Sequence, residues 1–280
     1  SPTFEFGSLL GDDIKFEKID EMKRIQADLK RFYPIEKLAR EAHRQMTAEL
    51  LAKDIIERMK VAGRVNEVAS APVEDTTGFY SLLGVPNSIK FRADHCTIQE
   101  DAQIWLTGNV VVVEQDTDGD GRARTLTCEK ASLTFEPESV APTLTMDLYQ
   151  PQEVGRELFP LRHYVSGLIP AQAVEAVANQ FGSESGGLRP EKLAWELSEL
   201  SGLEPSEALE GLQHGLQRRI QKTLVEIRSE IHSRLVFGTG CVPMILIGIG
   251  LGIIKKGGHL LTAFGASCVP AAVLIVCIMS

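Results

Sequence analysis

The run with the most evident chemistry is Asp116-Thr117-Asp118-Gly119-Asp120-Gly121. Carboxylates at positions 1, 3 and 5 with glycine at 6 begin a calcium loop, because hard oxygen ligands suit a hard cation and the glycine allows a sharp turn. The rest departs from that pattern. Position 8 is Ala123, and position 12 is Thr127 where a bidentate Glu is needed. The flanks VVVVEQ and RARTLTCE read as strands, so the segment suits a polar hairpin tip. Calcium sensing through Asp116, Asp118 and Asp120 is the weaker alternative.

Other chemical signals are thinner. Gly252 and Gly257 have Walker-type spacing, but Gly258 stands where the phosphate-binding Lys belongs. His43, His95, His163, His214, His232 and His259 are dispersed and share no ligand spacing. Cys96 and Cys128 fall in strand-like runs, where a disulfide is left open, while Cys241, Cys268 and Cys277 lie in apolar stretches. No catalytic constellation and no cofactor motif emerge, so a non-enzymatic role is expected.

The elements that would hold these residues differ along the chain. Residues 1–66 read as mainly helical, with Pro34 as a break. Ser1-Pro2-Thr3-Phe4-Glu5-Phe6 echoes Ala141-Pro142-Thr143-Leu144-Thr145-Met146, as if an earlier repeat ended there. Residues 67–159 alternate apolar and polar at Ile89, Phe91 and Ala93, at Leu133 and Phe135, and at Leu144, Met146 and Leu148, which predicts an antiparallel, jellyroll-like sheet. Residues 160–234 lean helical. Within them Pro205 can open a helix at its first turn, and Leu209, Leu212, Leu216, Ile220, Leu224, Ile227, Ile231 and Leu235 form one apolar stripe.

The charge distribution then splits the chain. Residues 1–234 hold 27 basic and all 38 acidic residues, a formal charge of −11, whereas residues 235–280 contain no acid and only Lys255 and Lys256 as charges. A basic phosphate-binding surface is absent, which argues against nucleic acid as a partner. Residues 235–254 and 260–279 are each 20 residues without a charge, long enough to cross about 30 Å of hydrocarbon. The KKGGH turn at 255–259 makes them a hairpin. Ser1 is not an initiator Met and Ser280 ends an apolar run, so a piece of a longer protein is expected. The expected class is an α+β membrane protein: a jellyroll-like domain with helical additions, then a transmembrane hairpin.

Two stretches carry a resemblance. EIRSEIHSR running into LVFGTGCVPMILIGIGLGIIKKGGH, and FRADHCTIQEDAQIWLTGNVVVVEQDTDGDGRARTLTCEKASLTF, together resemble the C-terminal part of the lipopolysaccharide-export permease family (LptF/LptG, YjgP/YjgQ), including its periplasmic β-jellyroll. The resemblance covers roughly residues 88–280. It implies a multi-pass inner (cytoplasmic) membrane protein with a large periplasmic domain, the two spans being the fourth and fifth of six helices. It also implies a separate ATPase subunit, a second permease subunit, a periplasmic jellyroll bridge protein, and lipopolysaccharide or a related glycolipid as cargo. A periplasmic domain would override the local Lys and Arg count, which alone favours a cytoplasmic one. Phe91, Leu106, Val111, Val113, Leu133 and Phe135 are the expected lining of a lipid path through the sheet. The competing class is a membrane-anchored scaffold whose β domain recruits a protein, with a sheet closed by its own side chains.

Overall fold

Alternation of buried and exposed positions produces eight strands among the described residues: β1 Tyr80–Gly84, β2 Asn87–Arg92, β3 His95–Ile98, β4 Ile104–Asp116, β5 Ala123–Phe135, β6 Leu144–Tyr149, β7 Gln152–Glu153 and β8 Arg162–Ile169. Among the described residues these α-helices accompany them: α1 Ile19–Ala27, α2 Tyr33–Asn66, α3 Gln172–Asn179, α4 Pro190–Trp195 and α5 Glu207–Ile254. The computed structural model describes residue 14 and residues 17–66, 78–84, 87–99, 102–116, 123–136, 143–153, 160–181, 188–197 and 204–254. It divides into residues 28–220 on one hand, and residues 1–27 with 221–280 on the other.

Every pairing among the described strands is antiparallel. β1 pairs with β2, while β2 and β3 lie end to end along one edge of β4. β5 takes the other edge of β4, and β6 and β7 lie end to end along β5. β6 pairs with β8, which returns to β1 through Leu83–Ile169 and Gly84–Leu168. The sheet thus closes as an up-and-down barrel of six staves, two of them broken strands. The antiparallel β domain matches the sequence reading, but the jellyroll arrangement does not. Among the described strands, hairpin-neighbour pairing replaces the Greek-key crossings that a jelly roll requires.

Local backbone explains the breaks. Gln150 has φ of 50° and Pro151 lacks an N–H, so the ladder cannot run straight from β6 into β7. At Gly108, φ is 73° and the β4–β5 register shifts between Thr107 and Val110, a bulge in which two residues of β4 stand opposite one of β5. Gly167 has φ of 72° in β8, opposite the shift between Leu144 and Met146. That second bulge puts Val165 and Leu168 on the same buried side at a spacing of three. This spacing imitates a helix, which is why β8 lies inside a stretch expected to be helical.

Within residues 28–220, Pro34 falls in the first turn of α2, where its missing N–H costs nothing. Ala48, Leu51, Ala52 and Ile55 of α2 join the barrel core, and Tyr80 Oη of β1 donates to Asp54 Oδ2 at 2.6 Å. Nearer its start, α2 meets α3 through His43 Nε2 and the Ala178 carbonyl at 3.1 Å. Burial holds the pKa of His43 below its ordinary value, with the Ala178 contact opposing part of the shift.

The start of α5 is fixed by Ser206 instead of Pro205. Ser206 Oγ accepts from the Leu209 amide at 3.2 Å, and both the Ser206 amide and its hydroxyl donate to the buried Glu49 carboxylate. An N-cap hydroxyl satisfies an amide that the helix itself cannot. In the N-terminal part of α5, Leu209, Leu216 and Ile220 are buried. In the unit of residues 1–27 and 221–280, Met22, Ile25, Thr223 and Ile227 are buried, and Arg234 Nη1 donates to the Glu17 carbonyl at 2.7 Å.

Candidate functional site

The barrel interior is built from one face of each stave. Phe91 of β2, Leu106 of β4 and Leu133 of β5 are fully enclosed in it, as are Ile89, Val112, Leu126, Met146 and Leu148. Three of the six expected lining residues thus occupy the interior, packed against one another and against Tyr80, whose ring centroid is 5.5 Å from that of Phe91. Phe135 is half-buried at the rim of the same cluster. Val111 and Val113 stand on the opposite face. Val110 and Val112 are inside instead, both with no exposed area, continuing the alternation of Ile104 and Leu106.

One end of the interior is polar. Glu114 of β4 is 3% exposed, and its carboxylate draws in side chains from three other strands. Asn87 Nδ2 of β2 donates to Oε1 at 2.6 Å, and Arg124 Nε of β5 donates to Oε2 at 2.7 Å. His163 Nε2 of β8 lies 3.1 Å from Oε2 and 3.3 Å from Arg124 Nη2. A protonated Nε2 donates to the carboxylate; an unprotonated one accepts from the guanidinium. Burial alone would push the Glu114 carboxyl up, but hydrogen bonds from Arg124 and His163 outweigh it and hold the pKa below its ordinary value.

This cluster stands where backbone pairing is thin. Only two residue pairs join β1 to β8, whereas β4 and β5 pair over ten. Glu114 ties β2, β4, β5 and β8 together by side chains, so the barrel is latched there by a buried charge network more than by its ladder. Sequence reading missed it, because Glu114 ends a valine run and Arg124 and His163 are remote in the chain. The clue available was that Glu114 has the same parity as Val110 and Val112.

Cys96 and Cys128 are free thiols. They sit on β3 and β5, on either side of β4, and burial pushes each thiol pKa up to about 11. Buried, protonated thiols in those positions behave as small apolar side chains. Asp116 ends β4, while Asp118, Asp120, Lys255, Lys256 and the second apolar stretch at 260–279 lie outside the described residues. The same holds for the Ser1–Phe6 half of the repeat echo.

The first apolar stretch is part of α5, which continues without interruption from Glu207 through Pro243 to Ile254. Its apolar side chains are open: Phe237 is 57% exposed, Ile245 61%, Leu246 63% and Ile253 70%. An 18-residue window of this helix has mean hydropathy 1.5 and none of it is buried, and it is one helix, among the described residues, long and apolar enough to cross a membrane. A β-carbon added at Gly238, Gly248 or Gly250 would meet nothing within 4 Å. No family model, no curated protein and no solved structure matches this chain.

Proposed function

We propose that this chain is a non-enzymatic permease subunit of an ATP-driven export complex for lipopolysaccharide or a related glycolipid. In this reading α5 and the stretch at 260–279 are membrane helices, moved by ATP hydrolysis in a separate subunit and paired with a second permease subunit. The barrel domain lies on the periplasmic side and hands lipid to a bridge protein. The observation that carries the reading is α5 itself: its first turns belong to the folded barrel unit, and its last 20 residues are an uncharged helical stretch about 30 Å long on which Phe237, Ile245, Leu246 and Ile253 are exposed. One helix therefore serves both as a packed element and as a span. The resemblance of residues 88–280 supplies the cargo.

Acyl chains would reach the apolar interior by parting the barrel between β1 and β8, where two residue pairs hold it. A second reading, a membrane-anchored scaffold that recruits a protein, is favoured by the filled interior, since Phe91, Leu106 and Leu133 leave no exposed area of their own. A photoreactive phenylalanine analogue at Phe91 or Phe135 in living cells separates the two. Adducts with lipopolysaccharide are expected from both positions. Correctly assembled protein that yields only protein adducts would overturn the transport reading in favour of the scaffold.

A further inference from the structure

Within residues 28–220, one side of α2 borders an open groove. Glu49, Ala52, Lys53, Ile56 and Glu57 recur at helical spacing along that side. Ile98 of β3 and Glu204, just before α5, line the groove with them, and its volume is about 320 Å³. Ala52, Ile56 and Ile98 supply an apolar lining. Eight residues of helix set Glu49 and Glu57 about 12 Å apart along the axis.

The charges of the groove are not balanced. Three carboxylates stand against the single Lys53 ammonium, a formal charge of −2. Glu49 is 7% exposed, yet its hydrogen bonds come from neutral groups: Gln45 Nε2 at 3.0 Å, and the amide and hydroxyl of Ser206. Among the described residues, Glu49, Lys53, Glu57 and Glu204 take part in no ion pair. A carboxylate taken out of water gains far more from a counter-charge than from neutral donors. The acids do not converge on one point, since among the described residues no three acid, His or Cys side chains could hold a metal ion. The complement is therefore extended, with positive charge at both ends and an apolar middle.

We propose that this groove binds a linear aliphatic polyamine. One ammonium meets Glu49 and a second meets Glu57, about 12 Å along the helix, while the methylenes between them cover Ala52 and Ile56. Glu204 adds attraction from outside α2. Lys53 is exposed and lies four residues from either carboxylate, so its ammonium competes for both; its flexible stem lets the ligand turn it out to water. A monoamine satisfies one end only. A metal dication demands several oxygens at one point, which these spaced acids do not offer. The inference is independent of the export reading, since every group in it belongs to the barrel unit.

Isothermal titration calorimetry on the full chain, in nanodiscs of zwitterionic lipid, tests the proposal with spermidine, propylamine and Mg²⁺, empty nanodiscs giving the baseline. Saturable binding of spermidine is expected, about tenfold tighter than propylamine because a second charge-assisted contact is made. Mg²⁺ at equal concentration should not displace it. E57Q/E204Q removes two exposed carboxylates and leaves the Glu49 contacts to Ser206 in place, so the fold is kept while spermidine binding weakens about tenfold. K53Q should tighten it severalfold by removing the competing ammonium. E41Q/E129Q makes the same change in net charge outside the groove and should match the parent, which separates a site from general attraction to an acidic chain. Absence of saturable binding, displacement by equal Mg²⁺, weaker binding in K53Q, or an E57Q/E204Q titration no different from that of E41Q/E129Q would overturn the proposal.

Discussion

Glu114 illustrates how a single buried carboxylate decides whether four strands stay together. Its folded pKa lies below the ordinary 4.5, so its contribution to stability is full above that value and is lost as pH falls through the lower folded one. Glu114→Gln keeps a partner for Asn87 but leaves Arg124 and His163 facing a neutral amide. Because Arg124 is 38% exposed, solvent moderates the loss to about 2 kcal/mol at neutral pH. Hydrogen-exchange protection of β2 and β8 should then drop by about 30-fold at pH 7, and the variant should approach the parent as acid removes the parent's charge. Equal protection at pH 7 would refute the latch. At this scale the sequence showed Phe91, Leu106 and Leu133 as interior, because their alternation is local. It misassigned Val111 and Val113, since in an uninterrupted valine run composition carries no information about which side each residue faces.

Glycines set where strand register shifts. At Gly108 a β-carbon would sit 2.9 Å from the Asp94 side chain, on a backbone of φ +73°. Gly108→Ala should therefore cost about 2 kcal/mol through left-handed strain and this contact. Gly211, in the first turns of α5, has open space around it, and Gly211→Ala should stabilise by about 0.5–1 kcal/mol through helix propensity. Thermal unfolding of the full chain should move the midpoint down for the first and up for the second; a neutral Gly108→Ala would show that the bulge does not govern register. Helices with uninterrupted stripes, such as α5, were legible from spacing alone. β8 was not, because the bulge at Gly167 gives Val165 and Leu168 a helix-like interval, and barrel closure depends on contacts between residues more than 80 positions apart that no local pattern encodes.

For the molecule as a whole, the uneven distribution of charge is the most consequential property. Acidic residues confined to positions before Leu235 suit a water-facing domain, and the exposed row from Phe237 to Ile253 is a far larger apolar surface than water tolerates on a monomer. Burial in hydrocarbon is one way to cover it. The alternative is that other protein covers the same row, and one substitution tells these apart. Leu246 lies near the middle of the run and is 63% exposed. Leu246→Lys places an ammonium at the centre of the bilayer, at a cost of about 3 kcal/mol for membrane insertion. The fraction of chain retained in membranes after carbonate extraction should fall accordingly, while Val225→Lys, on an already exposed position of the same helix before the apolar run, should leave it unchanged. If both variants stay membrane-bound like the parent, α5 is not a span, and the export reading loses the element on which it stands. If only Leu246→Lys is released, the apolar part of α5 is a membrane span, and the export reading keeps the element on which it stands.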